Sequence, residues 1–144
     1  MIEIRTAIDI AAPPERVWAV LTDFPSYPDW NPCITQVRGE PVAGAQLDVR
    51  IETPGGPSKR YHPTVLESTP PRELRWLGGL WLGGLFDGHH SFILVPQGDG
   101  THFVHRETYT GLLVPLFTKM LETNTRQGFE AMNRALKQRA EGGE

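Results

Sequence analysis

The sequence predicts an α+β fold: a curved antiparallel sheet of about seven strands wrapped around one long C-terminal helix. Two observations carry this. The first hundred or so residues read mainly as short strands, with helical character only just after the first of them. From Gly111 to Gly142 the β pattern stops and one long amphipathic helix takes over. Such a helix needs a large apolar surface to lie on, and a bent sheet supplies it. The gap between the two is a natural place for an apolar ligand.

Ile2, Ile4, Ile8 and Ile10 alternate with Glu3, Arg5 and Asp9, a strand with one buried face. Pro13-Pro14-Glu15 opens a helix, with proline in the first turn and a carboxylate at the positive end of the dipole. Val17, Trp18, Val20 and Leu21 form its apolar stripe. The segment from Asp23 to Pro32 holds three prolines and admits one short helical turn at most. Strands follow at Ile34 to Arg38, Leu47 to Glu52, Tyr61 to Ser68 and Glu73 to Leu77, with Pro63 marking an edge or a bulge. Phe86 to Val95 and Thr101 to Tyr109 form a last hairpin around Gln97-Gly98-Asp99-Gly100. In the final helix, over about 112–140, Leu113, Phe117, Leu121, Asn124, Gly128, Met132, Ala135 and Leu136 share one face. Residues 141–144 are expected to form a disordered tail, and 1–144 a single ligand-binding domain.

Composition narrows the function. The chain of 144 residues is 39% hydrophobic and 22% charged, with a formal net charge of −3. That balance argues against general affinity for nucleic acid or for an anionic membrane surface. The longest apolar stretch, Leu77 to Phe86, is short and glycine-rich, well below the ~20 residues that span a bilayer. A single cysteine, Cys33, excludes an internal disulfide and reads as a small buried hydrophobe. A cytoplasmic location is the economical expectation. No phosphate-cradling loop, dinucleotide fingerprint or nucleophile elbow is present in the sequence, and no cofactor or metal is expected.

The order strand, helical segment, six strands and long helix resembles the helix-grip fold of the START/Bet v 1-like superfamily. Ile10-Ala11-Ala12-Pro13-Pro14-Glu15-Arg16-Val17-Trp18, with Leu21 and Asp23, is similar to the superfamily's opening signature. Tyr27-Pro28-Asp29-Trp30-Asn31-Pro32 resembles an element of its polyketide cyclase/dehydrase-like branch. So do His90-Ser91-Phe92, Gly100-Thr101, His105-Arg106-Glu107 and Gly111-Leu112-Leu113. The resemblance spans nearly the whole chain and implies a fold. It does not choose among lipid carriers, hormone receptors, cyclases and chaperone activators, because fold alone does not fix function.

The last hairpin permits a geometric argument. If Gln97 to Gly100 is a four-residue loop, paired positions sum to 197, so Phe92 faces His105 and His90 faces Glu107. One face then carries His90, Phe92, Leu94, Phe103, His105, Glu107 and Tyr109; being richer in aromatics, it is the buried one. His90, His105 and Glu107 form a polar cluster on an apolar wall. Two readings stand: the groups satisfy one another, or they orient a ligand's oxygen and serve as candidate acid–base residues. They are also conceivable donors for a zinc-like ion, although no characteristic spacing supports it. His62 and His102 read as surface histidines.

Further ligand-contact candidates are Trp30 and Asn31, where the proline-rich segment returns to the sheet, and Trp76 on its strand. On the helix they are Phe117, Leu121, Asn124 and Gly128. Asn124 is a polar amide on an apolar face and needs a partner, such as Glu107, a water or a ligand. Gly128 provides either close packing or room for a bound molecule. The segment Gly78 to Gly84, with Trp81 and Leu82 at its tip, is expected to be a lid or a dimer contact. The sequence therefore leads to a binder of a small lipid-like, aromatic or polyketide-like molecule, monomeric or homodimeric and without stable membrane insertion. Alternatives are a cyclase/dehydratase-like enzyme using His90, His105 and Glu107, and a protein–protein module resembling chaperone activators.

Overall fold

A computed structural model describes residues 1–56, 58–79 and 84–142. Strand β1 (Ile2–Ile10) buries Ile4, Thr6 and Ile10 and turns Glu3, Arg5 and Asp9 outward. Helix α1 (Pro14–Thr22) begins on Pro14 with Glu15 in its first turn and buries Val17, Val20 and Leu21. A 3₁₀ turn (Phe24–Ser26) and the single-turn helix α2 (Tyr27–Trp30) fit the proline-rich segment. The Tyr27 hydroxyl donates to the Leu21 carbonyl and ties this segment to α1.

The strands form two antiparallel sheets. One has the order β2 (Ile34–Arg38), β3 (Asp48–Glu52), β4 (Ser58–Tyr61). The other runs β1, β8 (Gly100–Thr110), β7 (Asp87–Gln97), β6 (Glu73–Gly79), β5 (Thr64–Thr69). Main-chain bonds Leu47 N to Pro63 O and Val65 N to Ala45 O, both 2.8 Å, join the sheets into one curved surface. The described strands number eight rather than about seven, because the run read from Tyr61 to Ser68 breaks in two. Pro63 is the cause: it lacks an N–H for the ladder, and its carbonyl serves the Leu47 amide instead.

The last hairpin pairs Gln97 with Gly100, Phe92 with His105 and His90 with Glu107, as the loop length predicts. Phe92, Leu94, Phe103 and Tyr109 are buried on its inner face. Full burial of each stabilises by about 1.5–3 kcal/mol, so a one-residue slip would forfeit roughly 6–12 kcal/mol, comparable to a whole domain's stability. The register has no competitor.

The C-terminal helical segment departs from the uniform helix expected over 112–140. It starts as a 3₁₀ turn (Val114–Phe117), continues through α3 (Thr118–Met120), widens into a π turn (Leu121–Thr125) and only then becomes α4 (Arg126–Glu141). The π turn inserts one residue and rotates everything after it. Phe129 and Asn133 consequently join Gly128, Met132, Leu136 and Ala140 on the buried face, while Ala135 and Asn124 are only partly covered. Glu141, expected in the tail, is helical instead. Glu141 ends the helix, with its carboxylate accepting from Ala11 N at 2.7 Å and Lys137 Nζ at 2.6 Å. Residues 143 and 144 lie outside the described residues. Among the described residues no helix is long and apolar enough to cross a membrane.

Candidate functional site

A cavity of about 300 Å³ opens between the sheets and the segment from Phe117 to Phe129. Val49, Ile51 and Tyr61 wall it from the three-stranded sheet, Trp76 and His90 from the other, Phe86 from just before β7, and Met120 and Leu121 from the helical side. Gly78, Gly88 and Gly128 all border the hollow, and a Cβ at Gly88 would collide with the Glu107 carboxylate.

The polar groups converge at one end. Tyr109 donates its hydroxyl to Glu107 Oε1 at 2.6 Å, and that same oxygen lies 3.4 Å from His90 Nδ1. Burial pushes the Glu107 carboxyl up to about 7, against the opposing pull of the Tyr109 hydrogen bond. Behind it, His90 Nε2 meets His105 Nε2 at 2.7 Å, and His105 Nδ1 meets Asn133 Oδ1 at 2.9 Å. Asn133 Nδ2 donates to Thr6 Oγ1 at 2.9 Å, and Thr6 donates to the His105 carbonyl at 3.0 Å. Desolvation holds His90 well below the ordinary imidazole value, with His105 adding to it. Burial brings His105 down to about 3 despite hydrogen bonds to Asn133 and the Phe129 main chain. Both rings are therefore neutral near pH 7.

The expected site residues divide into those that border the cavity and those that do not. Trp76, His90, Glu107, Tyr109, Phe117, Leu121 and Gly128 border the cavity. Phe92, Phe103 and His105 lie behind its wall as buried core; Phe129 stacks on His105 with ring centroids 4.0 Å apart and seals it from the hollow. Trp30 packs edge-on against Tyr27, centroids 5.1 Å apart, beside a separate surface hollow lined by Arg16 and Arg139. Asn31 is buried and uses Oδ1 to accept from the amides of Cys33 at 3.0 Å and Ile34 at 2.8 Å, so it shapes a turn rather than the cavity.

Asn124 does not reach Glu107. The π turn directs it toward Gly55 in the β3–β4 turn, and it accepts from Thr123 Oγ1 at 3.0 Å. At Gly128 a Cβ would stand 3.3 Å from Cys33 Sγ and 3.4 Å from Pro54 Cδ. Close packing, rather than spare room, is what Gly128 provides. His62 and His102 sit at the surface near Asp48 and Asp9. Of the segment Gly78 to Gly84, residues 80–83 lie outside the described residues.

Several contributors escaped the sequence reading. Tyr61 and Cys33 line the cavity; burial, with Glu107 nearby, pushes both the phenol and the thiol up to about 12. The Cys33 thiol is thus no nucleophile near neutral pH. Thr6 and Asn133 complete the buried network. Thr6 left a signal, as the polar gap in the inward series Ile2, Ile4, Thr6, Ile8, Ile10. Asn133 left none without knowledge of the π turn. Among the described residues no three histidine, cysteine or acidic side chains converge on a metal position.

Fold and site together define a helix-grip domain with an internal, mostly apolar pocket and one polar end. The chain belongs to the polyketide cyclase / dehydrase and lipid transport family, whose model matches residues 1–141. No curated protein matches it by sequence. Its fold is shared with a START superfamily protein from Mycobacterium smegmatis, at 23% identity, 99% coverage of both chains and a TM-score of 0.76. It is shared equally with the Zhui aromatase/cyclase from Streptomyces sp. R1128, at 18% identity, coverage of 97% of this chain and 93% of that one, and a TM-score of 0.78. A protein from Thermus thermophilus matches at 19% identity, 99% of both chains and a TM-score of 0.78. At such identities the likeness is one of fold.

Proposed function

We propose that this protein binds a small, largely apolar molecule of lipid-like, aromatic or polyketide-like character in the internal cavity, in the cytoplasm and without a cofactor. One observation carries the reading: a hollow of about 300 Å³ with mostly apolar walls and a buried polar cluster of His90, Glu107 and Tyr109. That is the usual make-up of a small-molecule pocket, where apolar area supplies affinity and a few polar groups supply orientation. Native mass spectrometry of the purified protein, followed by organic extraction, tests it. A small organic molecule released on denaturation is the expected result; a bare chain that also takes up no apolar probe would oppose it.

A second reading, a cyclase/dehydratase-like enzyme, draws on one further observation. Glu107 can gain or lose a proton near neutral pH and stands beside a neutral imidazole. In that case Glu107 and His90 face the substrate and His105 acts through His90. Glu107→Gln should lower turnover of a polyketide-like substrate by about a hundredfold or more. Unchanged turnover would remove Glu107 from the chemistry. The protein–protein module has less behind it, since the interior is hollow and Trp81 lies outside the described residues.

A further inference from the structure

The buried network has a direction, and the direction says what kind of polar group a ligand must bring. A carbonyl oxygen only accepts, so the Thr6 hydroxyl spends its proton on the His105 main chain and accepts from Asn133 Nδ2. The amide orientation of Asn133 is thereby set, and its Oδ1 faces His105 Nδ1 as an acceptor. The Phe129 carbonyl is a second acceptor at the same imidazole. His105 therefore carries its one proton on Nδ1 and leaves Nε2 bare. At 2.7 Å the facing nitrogen, His90 Nε2, must supply the hydrogen. His90 in turn is left with a bare Nδ1, a buried atom with no hydrogen-bond partner, 3.4 Å from Glu107 Oε1.

With Glu107 ionised, two acceptors thus stand side by side at the polar end of the cavity, and the imidazoles behind them have no proton to lend. A second proton on His90 is opposed by burial and by His105. We propose that the cavity selects ligands bearing a hydrogen-bond donor, a phenolic, enolic or alcoholic hydroxyl, which docks over His90 Nδ1 and Glu107 Oε1. To that ionised site a ketone or ether oxygen would present lone pairs to lone pairs. Thr6 and Asn133 are positioning residues in this scheme, because they set the tautomer of His105 and through it that of His90.

The scheme rests on the cavity being a ligand site, and it ties binding to ionisation of Glu107. The groups facing that carboxyl are His90 on β7, Tyr109 on β8, Tyr61 on β4 and the Cys33 thiol, with Lys59 at the rim; Leu121, Gly128 and Phe129 bring no charge from the helical side. In the empty site Glu107 keeps its proton to about 7. A docked hydroxyl supplies that proton's hydrogen bond instead, so binding releases a proton to water and affinity rises between about pH 6 and about pH 8.

The experiment compares 2-naphthol with 2-methoxynaphthalene, which share a skeleton and differ in the O–H, by isothermal titration at both pH values. Wild-type protein should prefer the naphthol by about tenfold or more at the higher pH. His90→Phe, which leaves Glu107 as the remaining acceptor, should narrow that preference severalfold. Equal binding by wild type, or an undiminished preference in His90→Phe, overturns hydroxyl selection at this pair while the cavity reading stands. Binding of neither overturns both. A measurement on wild type alone guards against a variant that fails to fold: ¹⁵N spectra of the imidazoles should show the bare nitrogen at Nδ1 of His90 and at Nε2 of His105. The opposite pattern refutes the proposal.

Discussion

The two ends of the space beneath the C-terminal helix are built from the same elements and reach opposite results. Toward the end of α4, Met132, Leu136 and Ala140 join Phe103, Leu94 and Ile10 in one buried apolar core. Toward the π turn, the strands opposite carry Gly78 and Gly88 where a side chain would otherwise reach across, and a cavity is left. The hairpin β7–β8 runs through both ends. Its register is secured at the packed end, where aromatic burial is complete, and this frees the other end to hold groups that stabilise little. Glu107 is the clearest of these: a carboxyl kept in a desolvated place that raises its pKa to about 7. The difference separates what holds this fold from what the fold holds.

The comparison can be broken at either end. The largest effect is expected from Phe103→Ala at the packed end, about 3–5 kcal/mol, against less than about 2 kcal/mol for Phe117→Ala at the half-buried rim. Urea denaturation measures both, and equal losses would erase the distinction between the ends.

Glu107→Gln should act through pH. The folded carboxyl keeps its proton to about 7, whereas the ordinary value is 4.5. The neutral form therefore contributes stability that is fully present below 4.5 and is lost as pH rises to about 7. Glutamine has no proton to lose, so relative to wild type it should gain on the order of 3 kcal/mol above that window and almost nothing below it. A gain at low pH instead would show the sign to be wrong.

The smallest effect belongs to Gly128→Ala. A helix gains roughly 1 kcal/mol from alanine, but the new methyl must push aside Cys33 Sγ and Pro54 Cδ. Alone the change should be near neutral; in a Cys33→Ala background it should recover about 1 kcal/mol. Thermal melts of the four proteins decide it, and a gain of the same size without Cys33→Ala would show that the contact is slack.

What the sequence made legible follows from how local each constraint is. The last hairpin was readable to the residue, because Gln97 to Gly100 sets the loop and alternation sets the face; His90 and His105 point inward for that reason. The apolar stripe from Leu113 to Leu136 was readable at Leu121, Gly128, Met132 and Leu136 but not at the positions between them. The extra residue of the π turn responds to packing against β1 and the β3–β4 turn, which no periodicity announces, and it exchanged Asn124 for Phe129 and Asn133. Pro63 was visible as a disturbance, but its outcome, two strands in different sheets, depended on where Leu47 would stand. The hollow itself was the least legible feature. It depends on the separation of two sheets and a helix, to which glycines contribute only once their neighbours are fixed.

The central claim, a fillable cavity at the Glu107 end, is tested most directly by titrating 1-aminoanthracene, a fluorescent apolar probe of suitable size, into wild type and into Val49→Trp. Val49 lines the cavity, and an indole in its place would occupy it. The account predicts saturable enhancement at one probe per chain in wild type and its loss in a folded Val49→Trp. No binding by wild type, or equal binding by both, would contradict it.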